Sequence, residues 1–209
     1  MRLSADPRIR LFDRIARIYG LFFHLQRLAF QKSFRELQDH LALPGRALIL
    51  DIGCGTAAHA SVLMEMGHEV WAVDASPRMI AMAKRLLRRS GSARQAARLA
   101  VGDPLRGLAV PDRRFDLVLA AHVLHGLRQP PRRRFYREAR RVSRSQVLFY
   151  DYSPAPASKP GPVTRLLEAL ERSDFRRFRR SGVGELQESF AEVEVLSGAT
   201  GSAWYLCRA

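Results

Sequence analysis

A chain of 209 residues, 47% of them apolar, can bury one full core and is short for two, so a single α/β unit is the simplest organisation. No apolar run approaches the ~18–20 residues a membrane-spanning helix needs, and charges stand where a secretory signal has its apolar stretch, so a cytoplasmic protein with no transmembrane segment is expected. The net charge of +15 suggests nucleic acid or another anionic partner, but with three lysines and no asparagine the arginine excess reads first as GC-rich codon usage on a solvated surface. Two cysteines, Cys54 and Cys207, give neither a disulfide framework nor metal-ligand spacing, and no metal is expected.

Residues 6–43 carry apolar side chains at helical spacing, including Ile9, Phe12, Ile15, Tyr19, Leu21, Leu25, Leu28, Phe34 and Leu37. Two helices joined near Gly20, the second stopped by Pro44-Gly45, account for the pattern. The segment is basic and amphipathic, which fits a membrane-surface or partner helix; a cap packed over an α/β domain is favoured, because apolar helix stripes usually face a core. From Arg46 strands and helices alternate. Strand one covers about 46–51, its helix runs from Thr56 to Gly67, and strand two runs from His68 to Val73, ending in Asp74. Ser76-Pro77 supplies an N-cap and a first-turn proline for a helix to about Ser90. Strand three is near Ala97–Val101, strand four is Phe115–Ala121, a helix covers 131–142, and strand five is Val147–Asp151. Strands separated by helices imply parallel pairing with right-handed crossovers. The proline-rich stretch 153–162 reads as loop, 163–180 as a basic helix, and 190–196 with 202–208 as an antiparallel hairpin around Gly198 and Gly201.

The stretch Leu48-Ile49-Leu50-Asp51-Ile52-Gly53-Cys54-Gly55 is a buried-strand pattern running into a glycine turn that lets a ligand approach the backbone. Gly53-x-Gly55-x-x-Ala58 also satisfies the loose dinucleotide fingerprint. Asp51 discriminates, since a carboxylate there would repel a pyrophosphate and attract a cationic ligand. Asp51, Asp74 and Asp103 fall at the ends of successive strands, the edge where open α/β sheets bind ligands. Asp74 lies near the ~20-residue offset at which an acid meets ribose hydroxyls. Asp103 is placed to accept from an adenine amino group, with Ala75, Met79 and Leu105 as apolar neighbours for the ring.

These residues together resemble the class I S-adenosylmethionine-dependent methyltransferases, in particular their small-molecule, quinone-methylase-like branch. The likeness rests on LILDIGCGTA (48–57), VWAVDASPRMIAMAK (70–84), VGDP (101–104), FDLVLAAHVLHGL (115–127) and VLFYDY (147–152). It covers 46–152 strongly and reaches the ends through FDRIARIYG (12–20) and the terminal hairpin. The resemblance implies a Rossmann-like three-layer αβα sandwich with a seven-stranded, mostly parallel sheet in the order 3-2-1-4-5-7-6, strand seven antiparallel. It implies one domain over 1–209, made of a helical cap (1–44), a cofactor-binding core (45–152) and a basic helix with terminal hairpin (153–209).

It further implies that Asp51, Gly53 and Gly55 hold the methionine part of S-adenosylmethionine, Asp74 the ribose, and Asp103 with Pro104 the adenine. Backbone at Ala120 and His122 would flank the sulfonium, and Tyr19 would close over the methionyl end. The sequence departs from the family at Ala57, where a third glycine is usual and a helical alanine would be tolerated, and at Gly20, where an acid commonly follows the tyrosine. Methyl transfer is an in-line displacement, so positioning and desolvation dominate, and a base is needed only for a protonated acceptor. His122 is the candidate base or substrate contact; His125, three residues on, competes for that role or points into packing. The leading reading is a methyltransferase with S-adenosylhomocysteine as product, acting on a small, planar or acidic acceptor. The alternatives are an RNA or protein methyltransferase, or a non-catalytic cofactor-binding regulator. An NAD-dependent oxidoreductase ranks last.

Overall fold

A computed structural model describes residues 6–90, 98–155, 174–198 and 201–208. Its elements in chain order are α1 (Pro7–Leu21), α2 (Phe23–Leu37), β1 (Leu48–Ile52), α3 (Ala58–Glu65), β2 (Glu69–Asp74), α4 (Pro77–Arg89) and β3 (Arg98–Val101). They continue with β4 (Phe115–Ala121), α5 (Gln129–Val142), β5 (Ser143–Tyr152), α6 (Phe175–Gln187), β6 (Glu192–Ser197) and β7 (Ser202–Arg208). The seven strands form one sheet in the order β3-β2-β1-β4-β5-β7-β6. β1 pairs with β2, β2 with β3 and β4 with β5 in parallel, while β7 runs antiparallel to both β5 and β6. The strand order and the reversed last strand are those the resemblance implies.

The chain divides into two compact units, Met1–Asp103 and Pro104–Ala209. In the first, α2 packs on α3 and α1 on α4. The α1–α4 contact is a small cluster of Ile15, Ala16 and Met79, with Leu11, Phe12 and Tyr19 against it. Gly20 lets the two helices approach, since a Cβ there would meet Met82 Sδ at 3.1 Å. Asp6 caps α1 by accepting from the Arg8 amide, and Ser76 caps α4 by accepting from the Met79 amide, each followed by a proline in the first turn. In the second unit β4, β5 and β7 are almost wholly buried, as expected for strands covered on both faces. Its largest buried cation, Arg132, is paired with Glu185 at 2.8 Å and lies over the Phe178 ring.

Several boundaries differ from expectation for identifiable reasons. α2 ends at Leu37, where a short 3-10 turn (Gln38–His40) gives way to extended backbone, so Pro44-Gly45 is not the stop. The helix after β1 starts at Ala58 rather than Thr56, because Ala57 is left-handed (φ 60°). α5 starts at Gln129, its prolines lying in the first turn, where a missing N–H costs nothing. It passes directly into β5, whose first residue is Ser143 rather than Val147. β6 begins at Glu192, because the Phe190 amide is still bound to Leu186 O at the end of α6. α6 continues past Arg180 through Gly182, where any Cβ would strike the Phe178 ring at 2.6 Å. The earlier part of that expected helix (163–173), most of the proline-rich loop, Ala97 and the tip of the terminal hairpin lie outside the described residues.

Candidate functional site

The first unit carries the acidic constellation. Pairing of Asp51 with Ala72 and of Asp74 with Val101 sets the ends of β1, β2 and β3 side by side. After β1 the backbone turns back on β2, with the Gly53 and Cys54 amides both donating to Val73 O. Every second residue of the turn is left-handed: Gly53 (φ 73°), Gly55 (φ 52°) and Ala57 (φ 60°). A Cβ built on Gly55 would enter open space, so the loop leaves room beside its backbone. The alanine at 57 is therefore not a helical residue, as expected from sequence, but occupies a conformation that disfavours any side chain, which explains why glycine suits that position.

Asp51 is fully buried, and neither carboxylate oxygen makes a well-formed hydrogen bond among the described residues. Burial, reinforced by the charge of Asp74 and only partly offset by the Ala60 amide, pushes its pKa up to about 7. A buried carboxylate without donors is unfavourable unless a ligand supplies them. Asp74 is better served: it accepts from the Gly55 amide at 2.9 Å and the Ser76 amide at 2.8 Å. Burial still raises it to about 6, with Asp13 adding to the rise and those two amides opposing it. Each Asp74 oxygen keeps lone-pair capacity for a further donor such as a hydroxyl. Asp103 lies two residues beyond β3, half-buried, with Arg8 at 3.7 Å.

Ala75 is half-buried, whereas Met79 is fully committed to the α1–α4 cluster, against which Tyr19 also packs. A residue the sequence did not single out, Asp13, ties α1 to this edge. Its buried carboxylate accepts from Ser76 Oγ at 2.6 Å while that same oxygen caps α4. Cys54, in the glycine loop, is buried, and desolvation and the two neighbouring aspartates hold its thiol well above the ordinary range, so it is no nucleophile.

The second unit carries the histidines. Pro104 opens it half-buried, and Ala120 is buried near the end of β4. The next residue after that strand, His122, is exposed and left-handed (φ 54°), with its amide held by Tyr150 O at 2.7 Å. Its ring stands 5.1 Å from Tyr150, 5.9 Å from Tyr152 and 6.1 Å from His125. His125 lies in a 3-10 turn (Leu124–Gly126) and is buried, with Nδ1 at 2.8 Å from Asp151 Oδ1. Asp151 also accepts from the amides of Leu124, His125 and Tyr152. Burial alone would raise its pKa, but His125, His122 and the Tyr152 amide hold it below the usual carboxylate range. An ionised Asp151 fixes the proton on His125 Nδ1 and leaves Nε2 as the acceptor of the neutral ring.

His122, His125 and Asp151 present ligand atoms within 4.8 Å of one another. Asp151, however, already receives four N–H donors, so a metal could bind it only by displacing one. The Asp151–His125 pair was invisible as a unit in the sequence, although both residues lie in the stretches that carry the family likeness.

The family comparison follows these observations. Residues 49–146 match the methyltransferase-domain family, from β1 into β5. Among solved structures, an S-adenosylmethionine-dependent methyltransferase from Aquifex aeolicus is 18% identical over 87% of this chain and 92% of that one, with a TM-score of 0.65. A Methanococcus maripaludis protein assigned as an S-adenosyl-L-methionine-dependent methyltransferase is 14% identical over 99% and 96%, with a TM-score of 0.70. Mitomycin 7-O-methyltransferase MmcR is 22% identical over 79% of this chain and 50% of that one, with a TM-score of 0.60. Residues 49–146 thus carry a methyltransferase domain, and the acidic glycine loop and the strand order 3-2-1-4-5-7-6 around it are those of the class I S-adenosylmethionine-dependent methyltransferase fold.

Proposed function

We propose that this methyltransferase acts on a small-molecule acceptor and that its first unit holds S-adenosylmethionine on Asp51, Gly53, Gly55, Asp74, Ala75 and Asp103, with Tyr19 completing the contacts. The observation that carries the cofactor assignment is Asp51, a fully buried carboxylate with no side-chain donor and no well-formed hydrogen bond among the described residues, the Ala60 amide alone offsetting its charge in part. The donor set it lacks is that of an ammonium, and the open space beside Gly55 is where a chain approaching the loop would lie. Asp74, half-satisfied by two amides, has capacity left for a ribose diol. Bound on these residues, S-adenosylmethionine supplies a methyl group on positively charged sulfur, already activated for displacement.

The remaining work falls to the chain's own groups. We assign His122 to the acceptor, as the exposed base for a hydroxyl or amine that loses a proton. Tyr150 and Tyr152 give its ring aromatic neighbours suited to a planar substrate. His125, fixed by Asp151, is a positioning residue that holds the turn carrying His122. MmcR, named for methylating mitomycin, supports the small-molecule reading at the level of shared fold.

An RNA acceptor has one observation in its favour. A cleft of about 810 Å³ in the second unit is lined by Arg113, Arg137, Arg140, Arg141, Arg144 and Arg208. Three of these arginines are already paired: Arg141 with Asp112 and Glu138, Arg144 with Asp116, and Arg208 with Glu192. Transfer of labelled methyl from S-adenosylmethionine into a cell extract tests the proposal. Label in the low-molecular-weight fraction, lost with His122→Gln for a hydroxyl acceptor, is the expected result. Label in RNA or protein would overturn the small-molecule reading, and cofactor binding with no transfer to any fraction would favour a regulator.

A further inference from the structure

The two N-terminal helices have two apolar stripes, and among the described residues only one of them is buried. Ile15, Ala16, Phe23, Phe30, Phe34 and Leu37 are buried. On another line along the same helices Ile18 (41% exposed), Leu21 (82%), Leu25 (58%) and Leu28 (66%) face solvent. These are four of the six large apolar side chains exposed among the described residues. Their spacing continues outward in alternating steps of four and three residues to exposed Arg14 on one side and to Lys32 and exposed Arg35 on the other. Such steps trace one face of a helix. The joint at Phe22 barely interrupts that face, since the Phe22 amide donates to Tyr19 O and the Gln26 amide to Phe22 O. Arg17, also exposed, flanks the stripe, and no aspartate or glutamate occurs between Arg14 and Arg35. The charge is one-signed from Arg14 to Arg35, with exposed Glu36 and Asp39 following at the C-terminal end. Arg27, beside the stripe, is offset by Glu65 at 2.6 Å.

We infer that this stripe docks the protein on an anionic lipid surface, with the four aliphatic side chains entering the headgroup–acyl boundary and Arg14, Arg17, Lys32 and Arg35 meeting lipid phosphates. Charge decides between the occupants. A second copy of the chain, packed parallel or antiparallel along the stripe, would set cation against cation at its ends, and the apolar seam is too short for a coiled coil. An RNA would meet the cations and leave the leucines in water. A bilayer bearing negative headgroups satisfies both sets of side chains at one depth. The surface is independent of which acceptor the enzyme methylates, and it accounts for leucines left exposed among the described residues.

Co-sedimentation of the full chain with vesicles tests it, using phosphatidylcholine alone against a phosphatidylcholine–phosphatidylglycerol mixture. Binding to the mixed vesicles only, weakened by added salt, is expected. Changing Arg14, Arg17, Lys32 and Arg35 to Gln should lower partition by roughly two to three orders of magnitude, at about fivefold per basic residue. Leu21→Ser with Leu25→Ser should lower it on the order of a hundredfold. Both variants should keep wild-type affinity for S-adenosylhomocysteine, which separates lost docking from misfolding and from failure of the cofactor assignment. As a site-specific reading, the emission that a Leu25→Trp variant adds to that of Trp71 and Trp204, taken as the difference from wild type, should shift to the blue on mixed vesicles. The proposal is overturned by partition that ignores the leucine and arginine changes, by unshifted emission from the Leu25→Trp variant, or by a concentration-dependent dimer that the leucine variant abolishes.

Discussion

Asp51→Asn should make the ligand-free protein more stable and the cofactor site worse. The carboxylate is fully buried and its pKa is raised from 3.8 to about 7. Because the folded state holds the proton more tightly than the unfolded state, the stabilisation from a neutral Asp51 is complete below pH 3.8 and is lost as pH rises through about 7. The raised pKa corresponds to a ceiling of about 4 kcal/mol above that window, shared with Asp74 because the two charges are coupled. An asparagine amide left without a partner returns ~1–3 kcal/mol of this, so the net gain near pH 8 is roughly 1–3 kcal/mol, a rise in melting temperature of about 2–10 °C. The gain should vanish in acid, where the wild-type side chain is neutral in both states. Binding should move the other way. Only the ionised carboxylate receives an ammonium as a charge-assisted partner, so wild-type affinity for S-adenosylhomocysteine should rise about tenfold from pH 6 to pH 8, while the Asn variant binds roughly 10- to 150-fold more weakly with a flat profile. Calorimetry and thermal melts across pH measure both. A variant that melts no higher than wild type near pH 8 and binds with unchanged affinity would refute the reasoning.

His122→Gly should raise the melting temperature slightly, by the ~0.4–1 kcal/mol that left-handed backbone favours glycine, while lowering kcat for a hydroxyl acceptor; equal loss of both would make the histidine structural. His125→Ala leaves Asp151 buried with three backbone donors and without its ring N–H, and should destabilise by about 1.5–3 kcal/mol in equilibrium unfolding. Because the Asp151 pKa is depressed, the stability that its ionisation contributes should be present above pH 3.8 and fall away as pH drops through the lower folded value, a loss that acid titration of wild type and His125→Ala would compare. Arg132→Met should cost about 3–5 kcal/mol by stranding Glu185, and adding Glu185→Leu should recover most of it; a double variant no better than the single would show that the Phe178 contact, not the ion pair, holds Arg132.

The strands and the three aspartates at their ends were legible from local pattern, whereas the strand order came only with the family resemblance. Apolar runs, glycine turns and capping pairs such as Ser76-Pro77 are written within a few residues of one another. What stayed hidden joins residues distant along the chain. Asp13 meets Ser76 across 63 positions, and Asp151 meets His125 across 26. A lone aspartate in a basic helix, or one ending a strand, carries no mark of its partner. The N-terminal cap was legible in part: the helical period revealed an apolar helix but not that it has two apolar lines with only one turned inward. Exposure is a property of neighbours, and periodicity does not contain it.

Backbone conformation gives the remaining lesson. Three non-glycine residues among those described have positive φ: Ala57, Arg113 and His122. Strain at such positions persists only where the surroundings over-determine it. Arg113 has a structural account, since its amide and that of Arg114 bind Arg141 O and Val142 O at the end of α5, fixing the entry to β4. Ala57 is fixed in the same way, by its amide on Cys54 O and by its own carbonyl accepting from Ser61 as α3 starts. His122 has its amide on Tyr150 O and projects an exposed ring against Tyr150 and Tyr152. Its left-handed backbone would suit glycine, yet the position carries a ring set against Tyr150, Tyr152 and His125, which makes His122 the residue to test for a role in the reaction.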